Sequence, residues 1–358
     1  RDGFPELYLV NMQGDDHFYA NEGGKRFVDR TSHYFPKTPW GAMGAKFFDF
    51  DQNGLLDLYV TDMHSDMTQQ QTEDAAQFRP DIEKRKSEAY CTIQWTEAYL
   101  QGASNNIFGN AFYSQQRPGE FREVSDQVNA ETYWPWGFSV GDVNADGFED
   151  VFVAAGMGYP FRYAVNSLLL NDAGRRFIDA EFLTGLEPRL NGVLGKIWFT
   201  LDCDGADQAN GLCAGKTGAV TVPGSFSSRS SVFFDVDNDG DLDLVVLDFN
   251  GPPLVLISDL SERKKLNFLK VKLEGTRSNR QGLGATVTIT AGGRQWTQFH
   301  DGKSGYLAQS DAPLYFAFPT GGQADSIHVR WPSGAEQTVR ETRGVPSITI
   351  KEPAGSER

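Results

Sequence analysis

"FFDFDQNGLLDLYV", residues 47–60, sets Asp49, Asp51, Asn53 and Asp57 on alternate positions around Gly54, then runs into an apolar stretch. Like charges this close repel, so the arrangement demands a reason. It also recurs. "GDVNADGFEDVFV" from 141 and "FFDVDNDGDLDLVV" from 233 hold the same frame, D-x-[DN]-x-[DN]-G-x-x-D, and Asp49, Asp142 and Asp235 open the three copies 93 residues apart. The opening "RDGFPELYLV" fits the second half of the frame, with Asp2, Gly3 and Glu6 in the places of Asn53, Gly54 and Asp57. The first half of that copy is expected upstream of residue 1.

The charge follows the frame. The 358 residues carry 48 acids and 33 bases, a net charge of −15, and the four windows hold 14 of those acids with only Arg1 among the bases. Outside them the two signs nearly balance. This distribution argues against nucleic acid as a partner, and against a general solubilising role, which would spread the charge over the surface. Clustered carboxylates call for a cation.

Calcium takes six to eight oxygen ligands, and alternating Asp/Asn at positions 1, 3 and 5 of a tight turn aim oxygens at one centre. The expected ligands are Asp49, Asp51, Asn53, the Leu55 carbonyl and Asp57 in the first complete loop. They are Asp142, Asn144, Asp146, the Phe148 carbonyl and Asp150 in the second, and Asp235, Asp237, Asp239, the Asp241 carbonyl and Asp243 in the third. Asp2 and Glu6 belong to the truncated copy. Glycine at position 6 permits the sharp bend. No His or Cys enters the frame, which disfavours zinc and copper; magnesium needs fewer protein oxygens. An EF-hand requires Glu at position 12 on a helix, whereas position 12 here is Val60, Val153 and Val246 within β-type runs. Simple polar turns would not produce three copies in register.

A second motif alternates with the first. "FYANEGGKRFVD" (18–29) and "LLLNDAGRRFID" (168–179) place Asn, then Gly, then Phe six residues after the Asn; "IFGNAFYSQQRPGEFREV" (107–124) reads as the same hairpin with a longer turn. Loop, strand and hairpin repeat at about 50 residues, the scale of a propeller blade, which cannot bury both its faces alone. The fold class is therefore all-β: a calcium-binding β-propeller followed by a smaller β-domain.

At these residues the chain resembles the FG-GAP/VCBS repeats of integrin α-type propellers. "VKLEGTRSNRQGLGATVTITAGG", "SGYLAQSD" and "IHVRWPSG" resemble the ASPIC/UnbV domain that follows such repeats in cartilage-acidic-protein-like proteins. The resemblance implies a secreted or cell-surface calcium-binding protein, or a periplasmic or outer-membrane-associated one in a bacterium. It also implies a role in adhesion or interaction. Seven blades are usual in that group; about five units are counted here, so a missing amino-terminal part is expected.

The domain plan is propeller repeats over 1–262, a β-sandwich-like domain over 266–350 and a disordered tail over 351–358. A helical insertion is expected at about 63–105, where "TQQQTEDAAQFRPDIEKRKSEAY" drops strand alternation. Insertions on rigid scaffolds often carry partner contacts. His64 and Asp66 are read as hydrogen-bonded anchors of this excursion, and Trp40, Trp134 and Trp136 as packing residues. The loop "TLDCDGADQ" (200–208) departs from the frame, with Asp202, Asp204 and Asp207 out of register, and reads equally as a weak or vacant site and as a filled one. Cys203 and Cys213 bracket it; they are either a disulfide that replaces the metal as a staple or two unrelated thiols.

No nucleophile elbow, HExxH or phosphate-binding loop is present in the sequence, and the five His are scattered. No apolar run reaches the roughly 18 residues of a membrane span. The expectation is a non-enzymatic calcium-binding protein with an extracellular protein or glycan partner. An extracellular filament or surface assembly is the alternative, and a polysaccharide-processing enzyme ranks behind both.

Overall fold

The computed structural model describes residues 4–65, 106–107, 109–156, 163–189, 192–249, 251–318, 322–340, 342 and 344–354. The helical reading of the insertion, Asp66, Cys91 and Asp2 lie outside these residues.

Four antiparallel sheets follow one another along the chain. The first holds β1 (Leu7–Leu9), β2 (His17–Asn21) and β3 (Phe27–Asp29). A short parallel pair, β4 (Thr38–Pro39) and β7 (Asn106–Ile107), accompanies the second sheet, which consists of β5 (Ala42–Phe48), β6 (Asp57–Asp62), β8 (Ala111–Arg117) and β9 (Glu120–Glu123). The third holds β10 (Pro135–Gly141), β11 (Asp150–Ala155), β12 (Ser167–Asn171) and β13 (Phe177–Asp179). The fourth, reached after the β14–β15 ribbon described below, holds β16 (Ser227–Phe234), β17 (Asp243–Phe249) and β18 (Leu254–Leu256).

Strand alternation explains the stacking. Successive side chains point to opposite faces. In β6, Leu58 and Val60 enter a core shared with Tyr8 and Phe18 of the first sheet, while Tyr59 enters a core with Phe138 and Val151 of the third. In β11, Val151 and Val153 face the second sheet, and Phe152 and Ala154 face Leu244 and Val246 of the fourth. β6 and β11 are therefore buried on both faces, which is why each carries an apolar run. This is the propeller-like stacking expected of the repeat.

The off-frame loop at 200–208, which a sequence reading takes as an extra, degenerate repeat unit, does not belong to a blade. Residues 195–225 form a two-stranded ribbon, β14 (Gly195–Asp202) and β15 (Ala219–Ser225), while β10 and β16 pack directly against each other. A Cys203–Cys213 disulfide closes the ribbon's tip. Asp204 accepts from the Gly218 N–H and Asp207 from the Asp202 N–H, both at 2.8 Å. The carboxylates of this loop serve the turn itself.

The C-terminal domain is a sandwich of two sheets. β19 (Phe268–Glu274) lies between β22 (Leu314–Ala317) and β25 (Ser347–Lys351), facing a sheet of β20 (Thr286–Ala291), β21 (Arg294–Phe299), β23 (Ser326–Arg330) and β24 (Glu336–Val339). The alternating Leu269/Val271/Leu273, Val287/Ile289 and Ile327/Val329/Trp331 meet in its core, as their periodicity predicts. The expected disordered end begins too early. Lys351 completes β25, and the buried Glu352 carboxylate accepts from the N–H groups of Thr276, Arg277 and Ser278 and from two serine hydroxyls. Burial alone would raise its pKa, but these donors hold it at about 2.

The loop between β21 and β22 seats this domain on the propeller strands. Gly305 N–H donates to the Phe138 carbonyl at 2.9 Å, Ser304 bonds Ser139 and Ser231, and Lys46 pairs with Asp301 at 2.7 Å. Trp136 packs between Arg229, whose guanidinium lies 3.9 Å from the ring centroid, and Tyr306. A Cβ on Gly137 would lie 1.9 Å from the Tyr306 nitrogen. Gly137→Ala should therefore cost on the order of 2–3 kcal/mol and make the 300–312 loop protease-sensitive. Gly211→Ala, with open space around it, should leave both calorimetric stability and proteolysis unchanged.

A repeated polar tie underlies the blades. Asn110 accepts from the Asp62 N–H at 2.8 Å, and Asn166 accepts from the Ala155 N–H at 2.9 Å. Asp16 fills the same role for the Asn11 N–H at 2.7 Å. As an acid it is costly: burial pushes Asp16 up to about 7 from 3.8. A carboxyl raised by folding contributes stability below its unfolded pKa, and that contribution is lost as pH rises from about 4 through about 7. Asp16→Asn should flatten this decline, gaining on the order of 2 kcal/mol at pH 8 relative to wild type in chemical-denaturation curves across that range.

Candidate metal centres in the repeated loops

Each complete loop closes the hairpin between the first two strands of its sheet: Phe48 pairs with Asp57, Gly141 with Asp150 and Phe234 with Asp243. The backbone takes the same path in all three. Position 4 is left-handed (Gln52 φ 58°, Ala145 φ 52°, Asn238 φ 64°), and position 6 is glycine at φ 80°, 95° and 106°. A residue with a Cβ is strained there, so the glycine of the frame is a conformational requirement.

The side chains then fold the loop onto itself. The position 1 carboxylate accepts from the position 6 glycine N–H at 3.0, 2.7 and 2.9 Å in Asp49, Asp142 and Asp235. Position 3 accepts from the N–H of position 5, and position 5 from the N–H of position 7, in every copy. Position 9 is the first residue of the second strand and is buried. Its Oδ2 accepts from the position 2 N–H at 3.0, 3.0 and 2.6 Å in Asp57, Asp150 and Asp243. Its Oδ1 accepts from the third strand or the turn after it: Gln115 at 2.7 Å, Asn171 at 2.7 Å and Ser258 at 2.8 Å. Position 9 thus ties three stretches of each blade together, a role beyond the ligand role expected of it.

These pairings also correct the second motif. Gln115 stands where Asn171 stands, six residues before the paired phenylalanine (Phe121, Phe177). The "IFGN" copy therefore has no longer turn, and Asn110 belongs to the separate polar tie.

The donor set fits a hard cation. Carboxylate oxygens of Asp49, Asp51 and Asp57 lie within 4.8 Å of one another, as do those of Asp235, Asp237 and Asp239. Oδ1 of Asp235 and Oδ1 of Asp241 are buried without a hydrogen-bond donor. A buried acceptor left unfilled carries its full desolvation cost; a divalent ion would remove it. In the second loop Asn144 replaces one acid, and its amide donates to Asp146 at 3.0 Å. Glu6 is exposed just ahead of β1.

The electrostatics agree. Burial, reinforced by Asp51 and Asp49, pushes Asp57 up to about 7; burial and Asp146 do the same to Asp142. Burial with the Asp142 charge drives Asp150 well above the carboxylate range. Asp239 moves the other way, held low by the Ser261 hydroxyl.

The C-terminal domain supports the second and third loops from outside the frame, which sequence reading missed. Trp296 Nε1 donates to the Gly147 carbonyl and Tyr315 Oη to the Gly240 carbonyl, both at 2.9 Å. Lys270 of β19 pairs with Asp235, and from the segment leading into the domain Lys264 reaches the Asn144 carbonyl at 2.5 Å and Ser261 N–H donates to Asp241 at 2.7 Å. His64 donates its backbone N–H to Asp62 and contacts the same carboxylate through Nδ1 at 2.7 Å, an anchoring role as expected.

Comparison with known proteins agrees with this architecture. Residues 1–60 match the model of an FG-GAP-like repeat, residues 134–175 that of the FG-GAP repeat, and residues 275–357 that of ASPIC and UnbV. Cartilage acidic protein 1 of Homo sapiens is 26% identical over an alignment of 166 residues that covers 42% of this chain and 24% of that protein's length.

Positions 3 and 9 separate metal binding from folding. Asp150→Asn turns an NH2 group toward one of the two backbone N–H groups that the carboxylate accepts from, and should destabilise by roughly 2–4 kcal/mol with or without calcium. Asp237→Asn, on an exposed side chain, should leave the melt in chelator unchanged and reduce only the gain on adding calcium.

Proposed function

We propose that this chain, which belongs to the proteins that join FG-GAP repeats to an ASPIC/UnbV domain, is an extracellular, non-catalytic interaction module whose blade corners are set by calcium. The observation that carries the reading is the convergence of three carboxylates within 4.8 Å in the first and third loops, with buried acceptor oxygens lacking donors in the third. Calcium matches an all-oxygen donor set of this size, and a tight turn can supply six or more ligands only if backbone carbonyls and water join the side chains. The disulfide of the ribbon suits an oxidising compartment, and the likeness to cartilage acidic protein 1 supports an extracellular setting.

The carboxylates have structural duties that leave them poor acids or bases. The cavity between the propeller strands and the C-terminal domain, lined by Lys46, Glu149, His300 and Asp301, measures about 110 Å³; small-molecule sites run to roughly 300–1,000 Å³. A protein or glycan ligand held on an outer surface suits this shape better than a substrate taken inside. Self-assembly is the second reading, favoured by the exposed Val193, Leu194, Ile197 and Trp198 at the base of the ribbon. A monomer in sedimentation at calcium saturation would exclude it.

Binding to the folded state alone stabilises by mass action, about 4 kcal/mol for each site at a thousandfold excess over Kd. Calcium should therefore raise the melting temperature over that in EGTA by on the order of 10 °C, with magnesium giving a smaller shift. Superimposable melts in calcium and EGTA would contradict the proposal.

A further inference from the structure

We propose that the third loop is an exchangeable site in which calcium and Lys270 of the C-terminal domain compete for Asp235, so that metal binding there is linked to how that domain is seated. The inference rests on the calcium reading of the loops and concerns a residue outside their frame.

The third loop differs from its copies in two ways. It carries five carboxylates, Asp235, Asp237, Asp239, Asp241 and Asp243, where the first loop carries three. Its position 1 carboxylate is also met by an ammonium: Lys270 Nζ pairs with Oδ2 of Asp235, with side-chain exposures of 17% and 2%. In the second loop the nearby Lys264 binds the carbonyls of Asn144 and Ala145 instead. Oδ2 of Asp235 thus serves the Gly240 N–H and Lys270, while Oδ1 is buried without a donor, as is Oδ1 of Asp241. One lysine offsets one of the five charges and leaves both of those buried oxygens without a donor.

An ion held among Asp235, Asp237 and Asp239, within about 2.3–2.6 Å of an Asp235 oxygen, would stand a few ångströms from the Lys270 ammonium. Two like charges at that distance in a partly buried site repel strongly. Either the ammonium withdraws or the ion binds weakly. Lys270 is not independent of its surroundings. It sits on β19, two residues after Phe268, whose ring lies so close to Gly240 that a Cβ there would be 2.3 Å from it. Tyr315, stacked on Phe268, donates to the Gly240 carbonyl. Phe268, Lys270 and Tyr315 together form the seat of the C-terminal domain on this loop. Whatever moves Lys270 acts on that seat, and by linkage the seat sets the metal affinity.

The test uses the full chain. Calcium titration calorimetry of the wild-type protein should show one site at least about tenfold weaker than the others. Lys270→Gln should tighten that site by about tenfold or more and change the others less than about twofold. Amine-reactive labelling of wild-type protein, read by mass spectrometry, needs no variant: Lys270 modification should rise over the calcium range that fills the weak site. Sites untouched or weakened by Lys270→Gln, or Lys270 labelling that stays constant while the third site fills, overturn the competition and leave the calcium reading standing. Wild-type protein that takes up no calcium overturns both.

Discussion

Buried carboxylates at the corner loops of three of the sheets govern this structure. A carboxylate can be kept in a protein interior only when hydrogen-bond donors or a cation surround it, and the repeated frame supplies donors with unusual regularity. The same backbone N–H groups meet the same aspartates in three loops, and the position 9 aspartate holds its own loop, its own strand and the third strand at once. Those donors satisfy positions 9 and 1 in part. They leave the outer acids and the donorless oxygens of the third loop to be met by something positively charged.

From that constraint the rest of the architecture follows. Because the loops close the first hairpin of each sheet, their geometry sets where the second strand begins, and so which of its residues reach which neighbour. Leu58 and Tyr59 go to opposite cores because Asp57 starts the strand in a fixed place. The C-terminal domain does not hang free of this scaffold. Its 300–312 loop lies against the first strands of three sheets, and its tryptophan, tyrosine and lysine reach the corner loops. The corner loops, sheet stacking and domain seating therefore share one set of residues.

Much of this was legible in the residues. The three frames, the hairpins "FYANEGGKRFVD" and "LLLNDAGRRFID" and the alternation in the C-terminal domain all announce themselves through spacing and periodicity; the sequence left Cys203 and Cys213 open between a bridge and two thiols, and the structure joins them. Three features did not. The ribbon at 195–225 looks like a weakened blade because its "DCDGADQ" turn shares the loop's composition; only strand pairing shows that two strands, not four, stand there. Asn110 reads as the hairpin asparagine because glutamine at 115 disguises the true match. The constant offset of 56 residues from Asn110 to Asn166, and from Gln115 to Asn171, was available as the signal. Lys270 and Tyr315 lie in strands that read simply as sandwich, and a sequence period cannot say which solvent-facing residue of one domain meets another.

The most direct measurement is anomalous diffraction from crystals grown in calcium, or soaked with a lanthanide. The structure predicts peaks in the loops beginning at Asp49, Asp142 and Asp235, each with oxygens of positions 1, 3 and 5 at about 2.3–2.6 Å. Maps that show no density among those oxygens, with the side chains turned to solvent, would contradict it.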